Sequence, residues 1–499
     1  MGDIEEMRTT HIEQLNDEDK TTFTIFQYRF PKISERVATT TAVTYIIFML
    51  VLSSIIFIMG LMNPDGVISE AYTLLLIVIA FVYLSYLIID IHLKKHRKNS
   101  FNSYIFINDA HSNFIYLKMG ASFFFLGLFV HSSISVIYEV ALLQTECASI
   151  FLVVFEILTP VFSLFILIFI IKYLNMSIHH NTILARFAIM HCIGTLITIG
   201  MYNIMSEAIE SIEGAHYSRR ITCDEPQAIN VLYKSSAPYF YPFIIEFCIL
   251  QAGIFIMLWF RIGKVSPTTS LKANHEIHID CSQSHRGLLS GFILITSTIC
   301  FIILSYVMAA ERDYLNVGPA GDEIFEFVVF LVMSAATIIA FVQTSRLSFA
   351  HADTTKIDDV LLFIGVPGVL TQCILCAIPA IFFGSTIRIC NRVIQVIQVF
   401  LQTPFIVSRL RSHCHSPEEL KNKPGRQCVT FLGIANVSLW IFYAFSNHGV
   451  ETHMQRAAVY GDVVWGVLYY LTLPFVMFYR FHSSVCLVHI WKHTYVKKT

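Results

Sequence analysis

The tenth apolar stretch of the sequence carries a row of amide side chains. Asn391, Gln395, Gln398 and Gln402 recur at intervals of four, three and four residues, which places them on one face of a helix. Amides inside an apolar helix either bond neighbouring helices to one another or line a water-filled path. The sequence leaves both interpretations open, and neither involves covalent chemistry.

The next two apolar stretches add further polar groups. Asn436 lies in the eleventh, and the twelfth places Tyr479, His482 and Ser483 on one helical face, beside Arg480. These groups hydrogen-bond water, and the histidine exchanges protons near neutral pH. No nucleophile stands in a pattern with an orienting base. The pattern therefore favours water and proton chemistry, and we expect neither enzymatic activity, nor a cofactor, nor a structural metal.

Ionisable residues also interrupt the apolar stretches of the N-terminal part. Glu156, His191 and Glu246 lie deepest within them, and a group of this kind in a membrane interior indicates function by default. His191 has an ordinary alternative, a neutral imidazole bonded to a backbone carbonyl or to Thr195. Glu246 is either a proton relay or a simple hydrogen bond between helices.

The composition identifies the class of protein that must position these groups. The chain has 499 residues, of which 55% are apolar and only 14% charged, whereas soluble domains carry about 25% charged residues. Lys+Arg 34 against Asp+Glu 35 leaves no basic excess for binding nucleic acid. A soluble enzyme, a disordered chain and a nucleic-acid binder are therefore excluded.

Apolar runs of about 20 residues, enough to cross a bilayer as a helix, recur along the chain. We predict an all-α polytopic membrane protein with twelve transmembrane helices in two six-helix halves, without a strong internal sequence repeat. The predicted spans lie near 39–62, 71–91, 118–142, 148–171, 187–206, 238–260, 287–309, 324–345, 360–385, 389–408, 428–447 and 459–489.

The N-terminal segment is polar and has no signal-peptide pattern, and most Lys and Arg residues fall in loops after even-numbered spans. The positive-inside rule then predicts that both termini are cytosolic. The predicted divisions are a cytosolic segment 1–36, the N-terminal half 37–262, a cytosolic linker 263–286, the C-terminal half 287–492 and a cytosolic tail 493–499.

The cysteines are scattered along the chain. Cys147 and Cys223 alone fall clearly on the predicted outer side, where a disulfide can persist, and whether they pair stays open. Cys373 and Cys376 show the C-x-x-C spacing inside an apolar span, which favours packed small residues over a metal or redox site.

Several segments together resemble the otopetrins, a family of metazoan proton channels. The most specific is Phe478–Leu487 followed by Ile490–Lys492, which resembles the closing stretch of an otopetrin. The supporting segments are Lys423–Gln427, Asp358–Leu362, Tyr241–Glu246 and Arg186–His191. The resemblance spans roughly 37–495 and agrees with twelve helices and cytosolic termini.

The resemblance implies a function. Otopetrins are proton-selective channels activated by extracellular acid and inhibited by zinc, and they form homodimers whose subunits have two six-helix halves. We therefore expect a multi-pass plasma-membrane homodimer that passes protons down their gradient, with a membrane lipid or sterol between the halves.

The family places a Gln–Asn–Tyr triad inside the second half, and the resemblance maps it onto Gln398, Asn436 and Tyr479. Gln395 and Gln402 are the alternative registers for the glutamine. In the first half the corresponding positions hold Ile166 and Leu196, and of the triad only Tyr241 is kept. This departure leads to the hypothesis that the second half conducts and that the first is largely structural.

Titratable groups complete the predicted site. His482, Glu246 and His191 are candidate proton relays, and the outer histidines His216, His448 and His453 are candidate pH sensors and zinc ligands, because an unperturbed imidazole titrates near pH 6.5 and binds zinc. Two other functions stay open: a proton-coupled secondary transporter, and a non-conducting scaffold subunit that has lost two first-half polar positions.

Overall fold

A computed structural model describes residues 35–62, 67–96, 104–106, 113–144, 149–216, 227–263, 282–310, 317–349, 356–446 and 450–495. The elements of the N-terminal part are α1 Glu35–Met62, α2 Ile68–His96, β1 Tyr104–Phe106, α3 Asn113–Gln144, α4 Ile150–Tyr173, β2 Met176–Ile178, α5 Thr182–His216 and α6 Gln227–Arg261. Those of the C-terminal part are α7 His285–Ala310, α8 Val317–Gln343, β3 Ser348–Phe349, α9 Lys356–Phe382, α10 Thr386–Arg409, β4 Ser412–His413, α11 Pro417–Asn422, α12 Arg426–Phe445, α13 Val450–Tyr460 and α14 Asp462–His493.

Within the described residues, 12 helices are long and apolar enough to cross a membrane, namely all except α11 and α13. The prediction of an all-α polytopic membrane protein with twelve transmembrane helices is confirmed. Many of these helices expose apolar side chains such as Phe48, Val82 and Val342, as surfaces that face lipid do. The divisions of the chain into segments, halves and linker stay a prediction.

The connections differ from expectation in two places. The predicted spans 187–206 and 238–260 leave residues 207–237 between them as a loop, but α5 continues to His216 and α6 already begins at Gln227. Hydrogen bonding along the backbone evidently continues past the apolar stretch that hydropathy detects. The short helix α13 was not predicted, and it brings Arg456 against the Trp465 ring at the start of α14.

The packing repeats although the sequence does not. We call α1–α6 with β1 and β2 the first half, and α7–α14 with β3 and β4 the second half. In the first half α1 packs on α5, α2 on α4 and α5, α3 on α4 and α6, and α5 on α6. In the second half α7 packs on α12, α8 on α10 and α12, α9 on α10 and α14, and α12 on α14. Each half thus arranges its six long helices in the same way.

The strands and helix ends repeat as well. The antiparallel pair β1–β2 joins the segments after α2 and α4, and β3–β4 joins those after α8 and α10. We call the end of each half that carries its strands the inner end, and the opposite end the outer end. Two residues before β2 and β4, Leu174 and Leu410 cap α4 and α10, and each donates its backbone N–H to the carbonyl four residues earlier. These caps align α4 with α10.

A pair of hydroxyl groups aligns two more helices. Ser53 of α1 lies 2.9 Å from the hydroxyl of Thr198 of α5, and Thr298 of α7 lies 2.6 Å from that of Ser438 of α12. The two hydrogen bonds join corresponding pairs of helices, α1 with α5 in the first half and α7 with α12 in the second. Thr198 is therefore the counterpart of Ser438.

The halves pack together through α14, which contacts α3, α5 and α6, and through α6, which also contacts α9 and α12. Aromatic rings fill this interface. The ring of Phe124 lies 4.6 Å from that of Phe481, and the ring of Phe243 lies 5.5 Å from that of Trp440 in an edge-on arrangement. These ring contacts are apolar, and among the described residues a hydrogen bond from the hydroxyl of Tyr306 on α7 to that of Tyr239 on α6 also crosses the interface.

Candidate functional site

The centre of the second half contains a reciprocal pair of amides. Gln402 of α10 donates from Nε2 to Oδ1 of Asn436 at 3.1 Å, and Asn436 donates from Nδ2 to Oε1 of Gln402 at 3.0 Å. Asn436 also donates to the carbonyl of Leu432 at 2.8 Å. Both amides are 0% exposed, so their hydrogen-bonding capacity is used inside the protein, as burial requires.

Tyr479 of α14 closes this arrangement. Its hydroxyl lies 2.9 Å from the hydroxyl of Thr403 and accepts a long hydrogen bond of 3.5 Å from Nε2 of Gln402. Gly365 of α9 makes room for it, because a Cβ atom at this glycine would lie 2.8 Å from Cβ of Tyr479. A glycine at this position lets α9 approach α14 closely enough to hold the tyrosine.

A buried guanidinium lies beside the amides. Arg480 is 0% exposed, and its Nη1 donates to Oε1 of Gln398 at 2.7 Å and to Oδ1 of Asn436 at 3.5 Å. Its charge rests over the rings of Phe330 and Tyr479, at 5.1 and 5.2 Å from their centres. Among the residues that the structure describes, no carboxylate forms an ion pair with it. We call Gln398, Gln402, Thr403, Asn436, Tyr479 and Arg480 the amide cluster.

The structure places both candidate glutamines in this cluster, in different roles. Gln402, rather than Gln398, contacts both Asn436 and Tyr479. Gln398 lies one turn away, where it donates to Oε1 of Gln402 at 2.8 Å and accepts from Arg480. The register of the helix therefore favours Gln402 as the central glutamine.

A second polar group, which we call the carboxylate cluster, lies toward the outer end. Arg392 of α10 donates from Nη2 to Glu323 of α8 at 2.9 Å and to Glu326 at 2.6 Å. Asn391 also donates to Glu326, at 2.7 Å, and a nitrogen of Arg456 lies 3.9 Å from Glu323. The side chains of Glu323, Glu326, Asn391 and Arg392 are all buried. Two carboxylates and two guanidiniums together give a group without net charge.

Sequence reasoning missed these carboxylates. Glu323 and Glu326 are spaced one helical turn apart at the start of the eighth apolar stretch, a position that reads as a solvated helix end. The signal that could have revealed them was the polar face of α10, because a buried polar face requires hydrogen-bonding side chains on the helix that packs against it. Hydrogen bonds also lead from the carboxylate cluster toward the amide cluster. Nη1 of Arg392 donates to Oε1 of Gln395 at 2.8 Å, and Gln395 donates to the hydroxyl of Tyr443 at 3.3 Å.

His482 lies toward the inner end of the same half. It is 0% exposed, and its Nε2 lies 3.1 Å from the backbone carbonyl of Asp358 at the start of α9. Its ring stacks on that of Phe478 with the ring centres 5.7 Å apart. The buried polar groups of the second half thus occur at three depths: the carboxylate cluster, the amide cluster and His482.

The corresponding positions of the first half are apolar. Aligned through the helix caps, Ile166 of α4 matches Gln402, since each lies eight residues before its capping leucine. Aligned through the hydroxyl pairs, Leu196 of α5 matches Asn436, two residues before Thr198 and Ser438. Ile166 and Leu196 are both 0% exposed and pack in the core. Among the described residues, no amide bridge is formed at the first-half level that corresponds to the amide cluster.

Tyr241, the first-half residue that the resemblance retains, is also buried. Its ring meets that of Tyr470 edge-on with centres 5.3 Å apart, and it contacts Ile204 and Ile245. Its hydroxyl has no hydrogen-bond partner among the described residues. The tyrosine is therefore present without the polar partners that surround Tyr479.

His191 is held at both of its ring nitrogens. Nδ1 lies 2.8 Å from the hydroxyl of Tyr45 on α1, and Nε2 lies 3.0 Å from the carbonyl of Leu76 on α2. Thr195 instead donates to the carbonyl of His191 at 2.9 Å. The contacts match the ordinary alternative of a satisfied buried imidazole that ties three helices together, with Leu76 rather than Thr195 as its partner.

Glu246 lies on α6 where the two halves meet. It is 0% exposed, and neither carboxyl oxygen has a hydrogen-bond partner in the part of the chain that the structure describes. The indole N–H of Trp440 on α12 is a neighbouring polar group. Gln251, further along α6, is buried with an amide that is likewise unpartnered among the described residues. Unsatisfied buried groups of this kind call for water.

The predicted outer residues lie largely outside the described structure. His448, Cys147 and Cys223 fall in gaps between the described ranges. His216 and His453 belong to α5 and α13, but their side chains are not among those described. Their roles in pH sensing, zinc binding and disulfide formation stay predictions.

An apolar cavity of about 530 Å³ opens between α9 and α10. Its walls include Phe363, Val399, Phe400 and Thr403, with Arg411 toward the inner end. Because Thr403 bonds Tyr479, this cavity borders the amide cluster. It lies within the second half, so the prediction of a lipid or sterol between the halves is not tested by it.

Comparison with known proteins agrees with this architecture. The family model described as Otopetrin matches residues 116–221 and 211–481. The chain is 25% identical over 449 residues to Proton channel OtopLc of Drosophila melanogaster, covering 78% of this chain and 28% of that protein. It is 20% identical over 468 residues to Proton channel OTOP2 of Mus musculus, covering 77% and 83%. Since the family model covers more than half of the sequence, the chain belongs to the otopetrin family.

Proposed function

We propose that this protein is a proton-selective channel that passes protons down their gradient, opens in response to extracellular acid, and works as a homodimer in the plasma membrane with both termini cytosolic. Two relatives named as proton channels, OtopLc and OTOP2, support the activity. The chain spans 28% of the length of the first and 83% of the second.

The observation that carries the proposal is the series of buried polar groups along the second half. The carboxylate cluster, the amide cluster and His482 follow one another from the outer to the inner end on α8, α10, α12 and α14. Protons cross a membrane along hydrogen-bonded waters and side chains, so a path needs polar groups at intervals rather than an open pore. In this proposal the first half provides structure, and the second half conducts.

The amide cluster acts as the gate. Amides and the tyrosine hydroxyl do not titrate near neutral pH, so they organise water instead of carrying the proton as acids. Gln402 and Asn436 bond each other in both directions, and this closed pair leaves no free donor for a water chain. Conduction requires that the pair exchange at least one of its bonds for water.

Arg480 contributes to selectivity in this scheme. Its positive charge lies beside the gate without an ion-paired carboxylate in the described residues, and a buried charge acts at low dielectric. A fixed cation there repels every permeant cation, and hydrated sodium and potassium, which must pass whole, also meet a steric barrier in the packed cluster. A proton passes by rearranging bonds and requires less space for its hydration shell.

The remaining titratable residues take secondary roles in the proposal. His482 relays protons between the gate and the inner end, and Glu246 with His191 are alternative relays in and beside the first half. His216, His448 and His453 sense outer pH and bind inhibitory zinc, and a lipid or sterol fills the space between the halves. The divisions 37–262 and 287–492 correspond to the structural and the conducting half.

Whole-cell current with intracellular pH imaging tests the function. The bath is stepped from neutral to about pH 5 in sodium-free solution, and a reversal potential that follows the proton gradient by about 59 mV per pH unit is expected. No current from protein shown to reach the cell surface would contradict the proposal and favour a scaffold subunit. Proton entry only in the presence of a transported solute would favour a coupled transporter.

A further inference from the structure

Three side chains with metal-binding atoms meet at the inner end of the second half. Asp358 begins α9, and His482 and Cys486 follow each other by one turn on α14, so that both point toward the start of α9. A carboxylate oxygen, an imidazole nitrogen and the cysteine sulfur all lie within 4.8 Å of one another. We call these residues the inner triad.

The distances suit a small divalent ion. Zinc binds sulfur at about 2.3 Å and nitrogen or oxygen at about 2.0–2.2 Å in a tetrahedron, which puts its ligands about 3.4–3.7 Å apart. The inner triad needs a contraction of about 1 Å to reach this geometry, within the range of a rotamer adjustment at Cys486 and Asp358. Three protein ligands leave the fourth position to water, as in zinc sites that are not purely structural.

The surroundings are those of a built site rather than a chance encounter. His482 and Cys486 are buried, at 0% and 1% exposure, while the side chain of Asp358 keeps 13%. An ion therefore enters past Asp358. Nδ1 of His482 has no hydrogen-bond partner among the described residues, while Nε2 is held by the Asp358 carbonyl. Nε2 is also the ring nitrogen that lies 4.0 Å from Oδ1 of Asp358, so the imidazole is held with this nitrogen toward the carboxylate of the triad.

The neighbouring carboxylate does not compete for the ion. Asp359 forms an ion pair with Arg411 of the segment after α10, so its charge is already used. Oδ1 of Asp358 instead lies 4.0 Å from Nε2 of His482. The triad thus contains a carboxylate, an imidazole and a thiol, a ligand set that prefers borderline-soft ions over magnesium or calcium.

We propose that Asp358, His482 and Cys486 form a binding site for zinc or a similar divalent transition metal at the inner end of the second half. Binding releases the thiol proton, so the ion replaces one proton with a bond between Cys486 and the metal. The site is separate from the predicted zinc ligands on the outer side, because it lies at the opposite end of the membrane helices.

The site also implies a form of regulation that rests on the proposed function. His482 lies on the proposed proton path, and an imidazole nitrogen bound to a metal cannot accept a proton. Metal arriving from the cytosolic side would therefore reduce the proton current. Binding and block are separate claims, and they are tested separately.

Binding is measured on the purified full-length protein in detergent, reduced and freed of metal, by titration with Co²⁺ followed by displacement with Zn²⁺. A sulfur-to-cobalt charge-transfer band is expected for the unaltered protein. Cys486→Ser should abolish the band and weaken binding at least about tenfold, and Asp358→Asn should weaken binding. Cys428→Ser, which removes another thiol near the same membrane face, is the matched control and should keep the band. An identical band in Cys486→Ser, or no band in the unaltered protein, would overturn the proposal.

Block is measured in inside-out patches by applying buffered Zn²⁺ to the cytosolic face. Current through the unaltered protein and Cys428→Ser should fall reversibly, and current through Cys486→Ser should persist. If cobalt binds as expected but neither protein carries proton current, the metal site stands and the proposed function fails. If proton current flows but Zn²⁺ blocks the unaltered protein and Cys486→Ser equally, the function stands and the regulatory role of the site fails.

Discussion

The first and second halves pack their six long helices in the same arrangement but fill the centre differently. At the level where Gln402 and Asn436 exchange two hydrogen bonds in the second half, the first half packs Ile166 and Leu196. Neither centre buries an unpaired polar group at this level, because the second half pairs its amides with each other and the first half has apolar side chains instead. The scaffold therefore does not require the amides, and their presence in one half only indicates a function specific to that half.

The carboxylate cluster strengthens this comparison. A buried group of two carboxylates with Arg392 and Arg456 costs desolvation free energy, and apolar residues of similar volume often give equal or greater stability. In the proposed function, its position between the outer end and the amide cluster puts it on the proton path. Replacements that exchange the features of the two halves provide direct tests.

The largest effect is expected for Asn436→Leu. Leucine removes both hydrogen bonds to Gln402 and the acceptor of Arg480. If the amide cluster is the gate, as proposed, proton current should fall at least about tenfold, to background. Leu196→Met is the matched change in the first half and should leave current within about twofold, since it conserves volume. Surface labelling checks delivery. Normal current in Asn436→Leu would show that the second half is not the conducting one.

A large loss of stability is expected when Glu323→Gln and Glu326→Gln are combined. Arg392 then remains buried without its carboxylates, and breaking a buried ion pair in this way costs about 3–5 kcal/mol. Thermal unfolding in detergent should show a clear decrease in Tm, whereas Glu418→Gln on α11 should show none. Adding Arg392→Met should recover much of the lost stability. A double variant as stable as the unaltered protein would show that the cluster is not held by its charges.

A smaller effect is expected for Gly365→Ala. The new methyl group would lie 2.8 Å from Cβ of Tyr479 and 3.1 Å from its Cα, so α9 and α14 must separate, at a cost of about 1–3 kcal/mol. Proton current should fall severalfold because Tyr479 moves. Gly200→Ala in α5 is the control, since its methyl group would meet Cys248 at an ordinary 3.7 Å. Equal currents in the two variants would contradict a role for the α9–α14 contact.

Building the missing amides into the first half sharpens the comparison further. Ile166→Gln combined with Leu196→Asn, in the Asn436→Leu background, places an amide pair where the helix caps and hydroxyl pairs align it with the natural one. A small recovery of proton current is expected, below that of the unaltered protein because the first half lacks a match for Arg480. Either single substitution should give none, since one amide alone has no partner. Absence of recovery in a triple variant that reaches the surface would show that the amides alone do not make a path.

The smallest effect concerns the inner end, where only the second half inserts a helix, α11, before its next membrane span. Glu419 accepts the backbone N–H groups of His415 and Ser416, at 2.9 and 3.1 Å, and these bonds lower its pKa below the ordinary value. Ionised Glu419 therefore stabilises the start of α11 fully at a pH above the pKa that Glu419 has in the unfolded state. This stabilisation is lost as the pH falls through the lower pKa that Glu419 has in the folded state. Hydrogen exchange at 417–422 should accelerate below about pH 4, and Glu419→Gln should remove this dependence. A hydrogen-exchange rate at 417–422 that does not depend on pH, once corrected for the intrinsic exchange rate of an unfolded chain, would contradict this role of Glu419.

Much of this molecule could be predicted from its sequence because lipid leaves few choices. Each of the twelve predicted apolar stretches corresponds to one long helix, and the amide face of α10 is buried as its spacing predicts. The partners of that face could not be predicted, because Glu323 and Glu326 look like an ordinary helix start until α8 packs on α10. The two halves were predicted, but the equivalence of their individual helices was not, because the halves share no strong sequence repeat and only the helix contacts reveal it.

The sequence by itself determined the class, the number of spans and the types of polar group available, since hydropathy and spacing along one chain depend only on local order. Tertiary structure decided which groups meet. It brought Gln402 rather than Gln398 to Asn436, paired Arg392 with carboxylates, and gathered Asp358, His482 and Cys486 from two helices. Hydrogen bonds and metal ligands act over about 2–4 Å, and only the packing of helices distant in sequence sets distances on that scale.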